Sequence, residues 1–299
     1  MARILVSGLI NVETTLRIDG FPLAYNPVNY PFFGVGSTVS GVGYNVAKAL
    51  TTLGNEVRFC SLIGQDLAGG QVRAALAVDG IDDRHVLAEL NETAQSVILY
   101  DPTGRRQIHT DLKDVQDHIY PPQRFDQALH GCDLAALCNV NFSRPLLALV
   151  RDAGVPIATD VHAIHELEDA YNADFMAAAD ILFMSDDLLP APPEEWAEAV
   201  VARYRPRILV IGLGAAGALM AVPADGHVGR VPALQDVSVV STIGAGDALF
   251  SSFLHAFLQT RDPHAALRQA VVFAGHKIRA ASAAEGFLTA HELARMTTD

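Results

Sequence analysis

Ser241-Thr242-Ile243-Gly244-Ala245-Gly246-Asp247-Ala248 is the stretch on which the reading of this 299-residue chain turns. Upstream, Val237-Ser238-Val239-Val240 reads as a strand, and downstream Ala245 to Gln259 reads as a helix. A chain that enters a helix through small residues leaves the first backbone N–H groups bare and approachable. Those donors, at the positive end of the helix dipole, suit a phosphate or a developing negative charge. Asp247 falls in the first helical turn, where its carboxylate can take a proton from a hydroxyl beside the anion site. Phosphoryl transfer to an alcohol needs that pairing, because positioning and charge stabilisation carry most of its catalysis. A plainer reading exists: the glycines shape a turn and the acid complements the dipole. The stretch needs a companion.

Working outward, apolar runs of strand length alternate with helical patterns. Arg3 to Gly8 is a first strand, Gly43 to Leu53 a helix closed by Gly54, and Val57 to Leu62 a second strand. Gln71 to Val78 is a helix ended at Gly80, Leu134 to Cys138 a buried strand, and Pro145 to Ala153 a helix stopped by Gly154. Pro156 to Asp160, Ile181 to Met184, Glu194 to Tyr204 and Ile208 to Ile211 repeat the pattern. Such alternation predicts a mostly parallel sheet with helices on both faces, a three-layer α/β/α sandwich. Two stretches, at about 14–40 and 93–110, break the alternation. The first carries Pro22, Pro27 and Pro31; the second places the turn Asp101-Pro102-Thr103-Gly104 between two strand-like runs. They predict a small β-sheet lid or oligomer contact on one domain spanning 1–299.

The companion is Ser40-Gly41-Val42-Gly43-Tyr44-Asn45-Val46-Ala47, at the start of the first long helix. Its glycines allow close approach to the backbone, and Asn45 offers a donor and an acceptor to hydroxyl groups. Together the two stretches resemble the two signatures of the ribokinase-like (PfkB-type) carbohydrate kinases. Gly41, Gly43, Asn45 and Ala47, followed by Leu53-Gly54, are similar to the first signature. Thr242, Gly244, Ala245, Gly246 and Asp247 are similar to the second. The resemblance implies transfer of the ATP γ-phosphate, with Mg2+, to a primary hydroxyl of a sugar or nucleoside. It implies Asp247 as general base and the backbone amides of Gly244, Ala245 and Gly246 as the anion hole. Gly41, Gly43 and Asn45, with Asn11 and Glu13 after the first strand, would line the acceptor site, and Thr242 would belong to the ATP site. A homodimer formed through the lid is also implied.

The sequence departs from that family at three points. Glu13 stands where the family usually has an aspartate, one methylene shorter. Ser241 replaces the first acid of the second signature, which leaves activation by a monovalent cation open. Ser185-Asp186-Asp187-Leu188 occupies the place of the stretch linked to magnesium and phosphate. Asp186 or Asp187 could serve magnesium through water, although solvated loop acids are the plainer reading.

Gly212-Leu213-Gly214-Ala215-Ala216-Gly217 spells GxGxxG after a strand, but a dinucleotide site requires a helix next. Ala218 to Val222 instead runs into Pro223, a turn, and His227 to Val231, which predicts a hairpin. The resemblance places Gly212, Gly214 and Gly217 along bound ATP. The chain has only Lys48, Lys113 and Lys277, none in a GK[ST] triplet, so no P-loop is present. His162 and His165 read as a surface turn without a third metal ligand, and no metal-ligating residue is assigned. Arg105 and Arg106 read first as exposed turn charges, with contact to substrate or phosphate on lid closure as the alternative; Asn139 and Asn141, at a strand's carboxyl end, are second-tier substrate contacts, and Tyr44 and Phe33 are candidates to stack on the acceptor.

Composition bounds the alternatives. Half the residues are hydrophobic and 18% are charged, which supports a buried core. Twenty-one Lys and Arg against 34 Asp and Glu give a formal charge of -13, unfavourable for nucleic-acid or anionic membrane partners. Cys60, Cys132 and Cys138 form no CxxC pair, and no run is long enough to span a membrane; a soluble, cytoplasmic protein is expected. Two other functions remain: a non-catalytic sugar- or nucleotide-sensing protein on a kinase scaffold, and a Rossmann-type NAD-dependent oxidoreductase.

Overall fold

A sheet covered on both faces must bury successive side chains in opposite directions, and this one does. In the computed structural model, which describes residues 1–103 and 105–297, Ile4 and Val6 enter one core and Leu5 another; none has exposed surface. The same alternation holds for Val210 against Leu209 and Ile211, and for Met220 against Leu219 and Ala221. Gly104 of the expected hairpin turn lies outside the described residues, as do Thr298 and Asp299.

The strands, in chain order, begin with β1 (Arg3–Ser7), β2 (Asn11–Arg17), β3 (Val35–Ser40), β4 (Glu56–Gly64) and β5 (Val86–Leu90). They continue with β6 (Gln95–Tyr100), β7 (Arg106–Asp111), β8 (Leu134–Leu137), β9 (Ile157–Asp160) and β10 (Ile181–Ser185). β11 (Ile208–Gly212), β12 (Ala218–Val222) and β13 (His227–Val231) complete them. The helices are α1 (Val42–Thr52), α2 (Leu67–Val78), α3 (Pro122–Leu129), α4 (Leu146–Asp152) and α5 (Ala173–Ala178). α6 (Pro193–Tyr204), α7 (Ala245–Thr260), α8 (Pro263–Lys277) and α9 (Ala290–Thr297) follow.

Nine strands form the central sheet in the order β13-β12-β11-β10-β9-β8-β1-β4-β5, parallel except where β12 pairs with β11 and β13. One core joins the sheet to α1, α2, α7 and α8, and the other joins it to α3, α4, α5 and α6. The three-layer sandwich expected from the alternation is therefore the observed fold. A separate four-stranded sheet runs β3-β2-β6-β7. Its β6–β7 hairpin pairs Gln95 with Asp111 in antiparallel register, while β2 and β6 lie parallel, Val12 beside Gln95. This sheet begins at Asn11, ahead of the expected limit near 14.

One expectation needs correction. Val237 to Val240 is not a strand: Val239 and Val240 are exposed, and the backbone N–H groups of Val240 and Ser241 donate to the carbonyl of Ile278. With no strand beside it among the described residues, the valine-rich run Val237-Ser238-Val239-Val240 has no ladder to join. The hairpin expected after β11 is observed: the glycine turn leads into antiparallel pairing, Gly212 with Ala218, and among the described residues no α-helix follows that turn directly, which removes the dinucleotide alternative. The three cysteines are all buried and free. Burial pushes the Cys60 thiol up to about 12 and the Cys132 thiol up to about 11. No helix among the described residues is long and apolar enough to cross a membrane.

Candidate active site

α7 starts from Gly244, whose backbone is left-handed at φ 76° and whose Cβ, if it had one, would stand 2.6 Å from the carbonyl oxygen of Ala283. Only glycine fits there. No side chain caps the helix, and Gly246 is exposed. The N–H of Ala245 already donates to the Thr242 carbonyl at 3.2 Å. Those of Gly244, Gly246 and Asp247 have no acceptor among the described residues. Two of the three amides expected to form an anion hole are thus open, and Asp247 contributes a further one.

Asp247 sits just inside this mouth, 8% exposed. Asn45, in the first turn of α1, donates from Nδ2 to its Oδ2 at 2.7 Å, and the Asn45 Oδ1 accepts from the Ser40 hydroxyl at 3.5 Å. Burial pushes the Asp247 carboxyl above its ordinary range; the Asn45 bond and the charges of His162 and Lys277 oppose the rise, and Asp160 adds to it. Asp160 closes β9, its Oδ2 lying 3.9 Å from where a Cβ on Gly246 would be, and its Oδ1 accepts the backbone N–H of His162 at 2.9 Å. The turn after β9 therefore borders the mouth rather than plain surface. Gly41 and Gly43 have a packing role: a Cβ on Gly43 would meet the Gly8 carbonyl carbon at 2.4 Å, and Gly41, at φ 106°, lies against Leu9. They seat α1 on the turn after β1, which carries Asn45 to Asp247.

The small sheet supplies the opposite wall. Paired residues share a face, so Asn11, Glu13, Ser40, Ser96 and Arg106 all point the same way. The first four are buried, and Asn11 Nδ2 donates to Ser96 Oγ at 2.6 Å while its Oδ1 has no partner among the described residues. Burial raises the Glu13 carboxyl, against the Ser40 hydrogen bond and the Lys277 charge. Arg106 spans the gap, Nη1 donating to Thr242 Oγ1 at 2.9 Å. A polar cup thus faces an uncapped helix mouth holding a carboxylate.

The pfkB family carbohydrate kinase model matches residues 1–290. The chain belongs to the pfkB family. This kinase is 28% identical over 273 residues to an ATP-dependent ribose-1-phosphate kinase from Halopiger xanaduensis, covering 90% of each chain. Among solved structures, a microbiome-derived acarbose kinase superposes with a TM-score of 0.89 at 23% identity over 100% of this chain and 99% of that one. Arabidopsis thaliana ribokinase, complexed with ribose and ATP, gives 0.83 at 17% identity over 100% of both. At those identities the structures establish the fold alone. Family membership makes the chain a phosphotransferase acting on a hydroxyl, with ATP and Mg2+.

The remaining expected residues divide. In the kinase, Gly214 faces open space, whereas Gly217, at φ 96°, is held by hairpin packing: a Cβ there would lie 2.0 Å from the Val231 carbonyl oxygen. A Cβ on Gly212 would meet Leu249 and Met184 only at ordinary contact distance, and the Gly212 carbonyl accepts the Asp186 N–H at 2.9 Å. Arg105 is bound within its own hairpin to Asp101 and to the Phe21 carbonyl. Asn139 donates to Asn172, and Asn141 to the Gln116 carbonyl. Phe33 is exposed and outside the cup. Tyr44 is buried in the core with its hydroxyl on Asp79, so it is not available to stack on an acceptor. Sequence reading missed Ser96, Asp160, His162 and Lys277 as neighbours of the site. Lys277 carried a signal: it is one of three lysines and ends an otherwise apolar stretch, Ala270-Val271-Val272-Phe273-Ala274-Gly275-His276-Lys277.

Proposed function

We propose that this kinase transfers the γ-phosphoryl group of ATP to a primary hydroxyl of a sugar or nucleoside held between the small sheet and the mouth of α7. Asp247 acts as the general base. The acceptor oxygen bonds to the γ-phosphorus, the bond from that phosphorus to ADP breaks, and the hydroxyl proton passes to Asp247. The Gly244 and Gly246 amides and the positive end of α7 take up charge on the moving group. Asn11, Glu13, Ser40, Ser96 and Asn45 suit an acceptor rich in hydroxyls, since the unpaired Asn11 Oδ1 is a buried acceptor that a sugar O–H would satisfy. Gly212 and Gly214 line the nucleotide side with Thr242.

Magnesium requires only one or two protein carboxylates when phosphates supply the rest. Asp186, exposed on the loop after β10 with its carboxyl raised by partial desolvation and by the charge of Asp187, is the acid we assign to an outer contact with the ion. Bound there, Mg2+ would neutralise charge on the β- and γ-phosphates.

A single observation carries the reading. Asp247 is fixed by Asn45 at 2.7 Å inside the first turn of a helix whose neighbouring amides are open. Asp247→Asn is expected to fold and to bind ATP while kcat drops by about 100-fold or more. Calorimetric ATP binding and a coupled ADP assay across sugars and nucleosides test it; near wild-type turnover refutes the base assignment.

The reading extends to assembly as a homodimer through the small sheet. Val35 and Val97, on the face turned away from the cup, are exposed, as are Tyr30, Phe32 and Phe33 in the segment leading to β3. Apolar surface gathered in this way marks an interaction site.

A further inference from the structure

A lysine ammonium is rarely taken fully out of water unless something holds it. Lys277, the last residue of α8, has no exposed surface, and its ammonium donates to the carbonyl of Ile243. Ile243 precedes Gly244, so that carbonyl and the Gly244 N–H belong to one peptide group. In a trans peptide the C=O and N–H lie in one plane and point in opposite directions. Drawing the Ile243 oxygen inward to Lys277 therefore turns the Gly244 hydrogen outward, toward the open mouth of α7. The charges facing the ammonium come from every side: Asp247 on α7, Glu285 in the segment after α8, Glu13 on β2 and Arg106 on β7.

We propose that Lys277 is a positioning residue of the kinase, whose buried ammonium fixes the Ile243–Gly244 peptide so that the Gly244 N–H faces the transferring phosphoryl group. This rests on the proposed helix-mouth chemistry and adds to it a residue that touches neither substrate. Burial lowers Lys277 to about 8, with Asp247, Glu285 and Glu13 opposing the fall and Arg106 adding to it. The ammonium is therefore charged at neutral pH and loses its charge in mildly alkaline solution.

Lys277→Met removes the charge and the hydrogen bond while keeping the length of the side chain. It is expected to fold, to lower kcat by about 10- to 100-fold, and to leave the KM of the acceptor within about threefold. Added methylammonium, but not tetramethylammonium, should recover part of the lost kcat. The wild-type kcat should decline above about pH 8 as the ammonium titrates, and Lys277→Arg, whose guanidinium does not titrate there, should remain active without that decline. If Lys277→Met does not fold, the pH profiles of the wild type and Lys277→Arg decide alone. Turnover of Lys277→Met at the wild-type level, or identical alkaline profiles in wild type and Lys277→Arg, overturns the proposal. Asp247→Asn is assayed beside them. If it is inactive while Lys277→Met is unaffected, only the Lys277 proposal fails; if it turns over normally, the base assignment fails and this proposal with it.

Discussion

Asp247 is surrounded by groups that pull its proton affinity in both directions, and the balance can be read in solution. The proposed general base would work deprotonated, so on that proposal kcat/KM should climb with pH through the carboxyl's own titration. Burial places that titration above the ordinary carboxylate range. Asp160 contributes to the rise through its negative charge, so Asp160→Asn should move the acid limb of the kcat/KM profile to lower pH; an unmoved limb would separate the two groups. The same shift has a stability side. Asp247 holds its proton more tightly folded than unfolded, so the native state is progressively penalised as pH rises from the unfolded carboxyl's range through the folded value. Above that value the penalty is complete. Asp247→Asn, which no longer buries a charge, should consequently melt at a higher temperature than the wild type at pH 7, measured by calorimetry.

Helix α1 shows what an element contributes beyond its side chains. Its first turn must approach the turn after β1 closely enough that Gly43 touches the Gly8 backbone, and Asn45 reaches Asp247 only from that seat. Gly43→Ala has no flexible atom to push aside, so it should cost roughly 2 kcal/mol or more in denaturant unfolding and lower kcat as well. The extents of α1 and α7 were legible in the sequence because helical period and glycine punctuation are local signals. The small sheet was legible only as two β excursions. Its parallel β2–β6 pairing joins residues distant in the chain, and no periodicity names a strand's partner. For the same reason Val237 to Val240 misled: its composition suits a strand, but no neighbour is there to pair with it. Asp247 and Asn45 announced themselves through flanking glycines, whereas Asp160 and Lys277 acquire their meaning from layers that meet only in the folded chain.

At the scale of the whole molecule, the proposed active site is assembled from opposite ends of the sequence, with β2 and β7 on one wall and α7 and α8 on the other. Arg106 on Thr242 is the direct tie between the walls, and Arg106→Ala should raise the acceptor KM by about 10-fold while leaving the melting temperature nearly unchanged, because one exposed hydrogen bond adds little to global stability. The outer face of the small sheet makes a separate prediction: Val97→Lys with Val35→Lys should convert a dimer to a monomer by sedimentation velocity. A chain that sediments as a monomer before mutation would remove the assembly proposal. The cysteines also matter here. A thiol reacts as its thiolate, and Cys60, Cys132 and Cys138 are enclosed and held protonated, Cys138 further by the nearby Asp247 and Asp160 charges. The native fold is therefore expected to react slowly, if at all, with maleimide dyes. A cysteine introduced on the outer surface of β7 and another on an exposed turn of the main body could be labelled without first deleting the natural ones. The separation of the two walls during turnover could then be followed by fluorescence energy transfer in an otherwise unaltered enzyme.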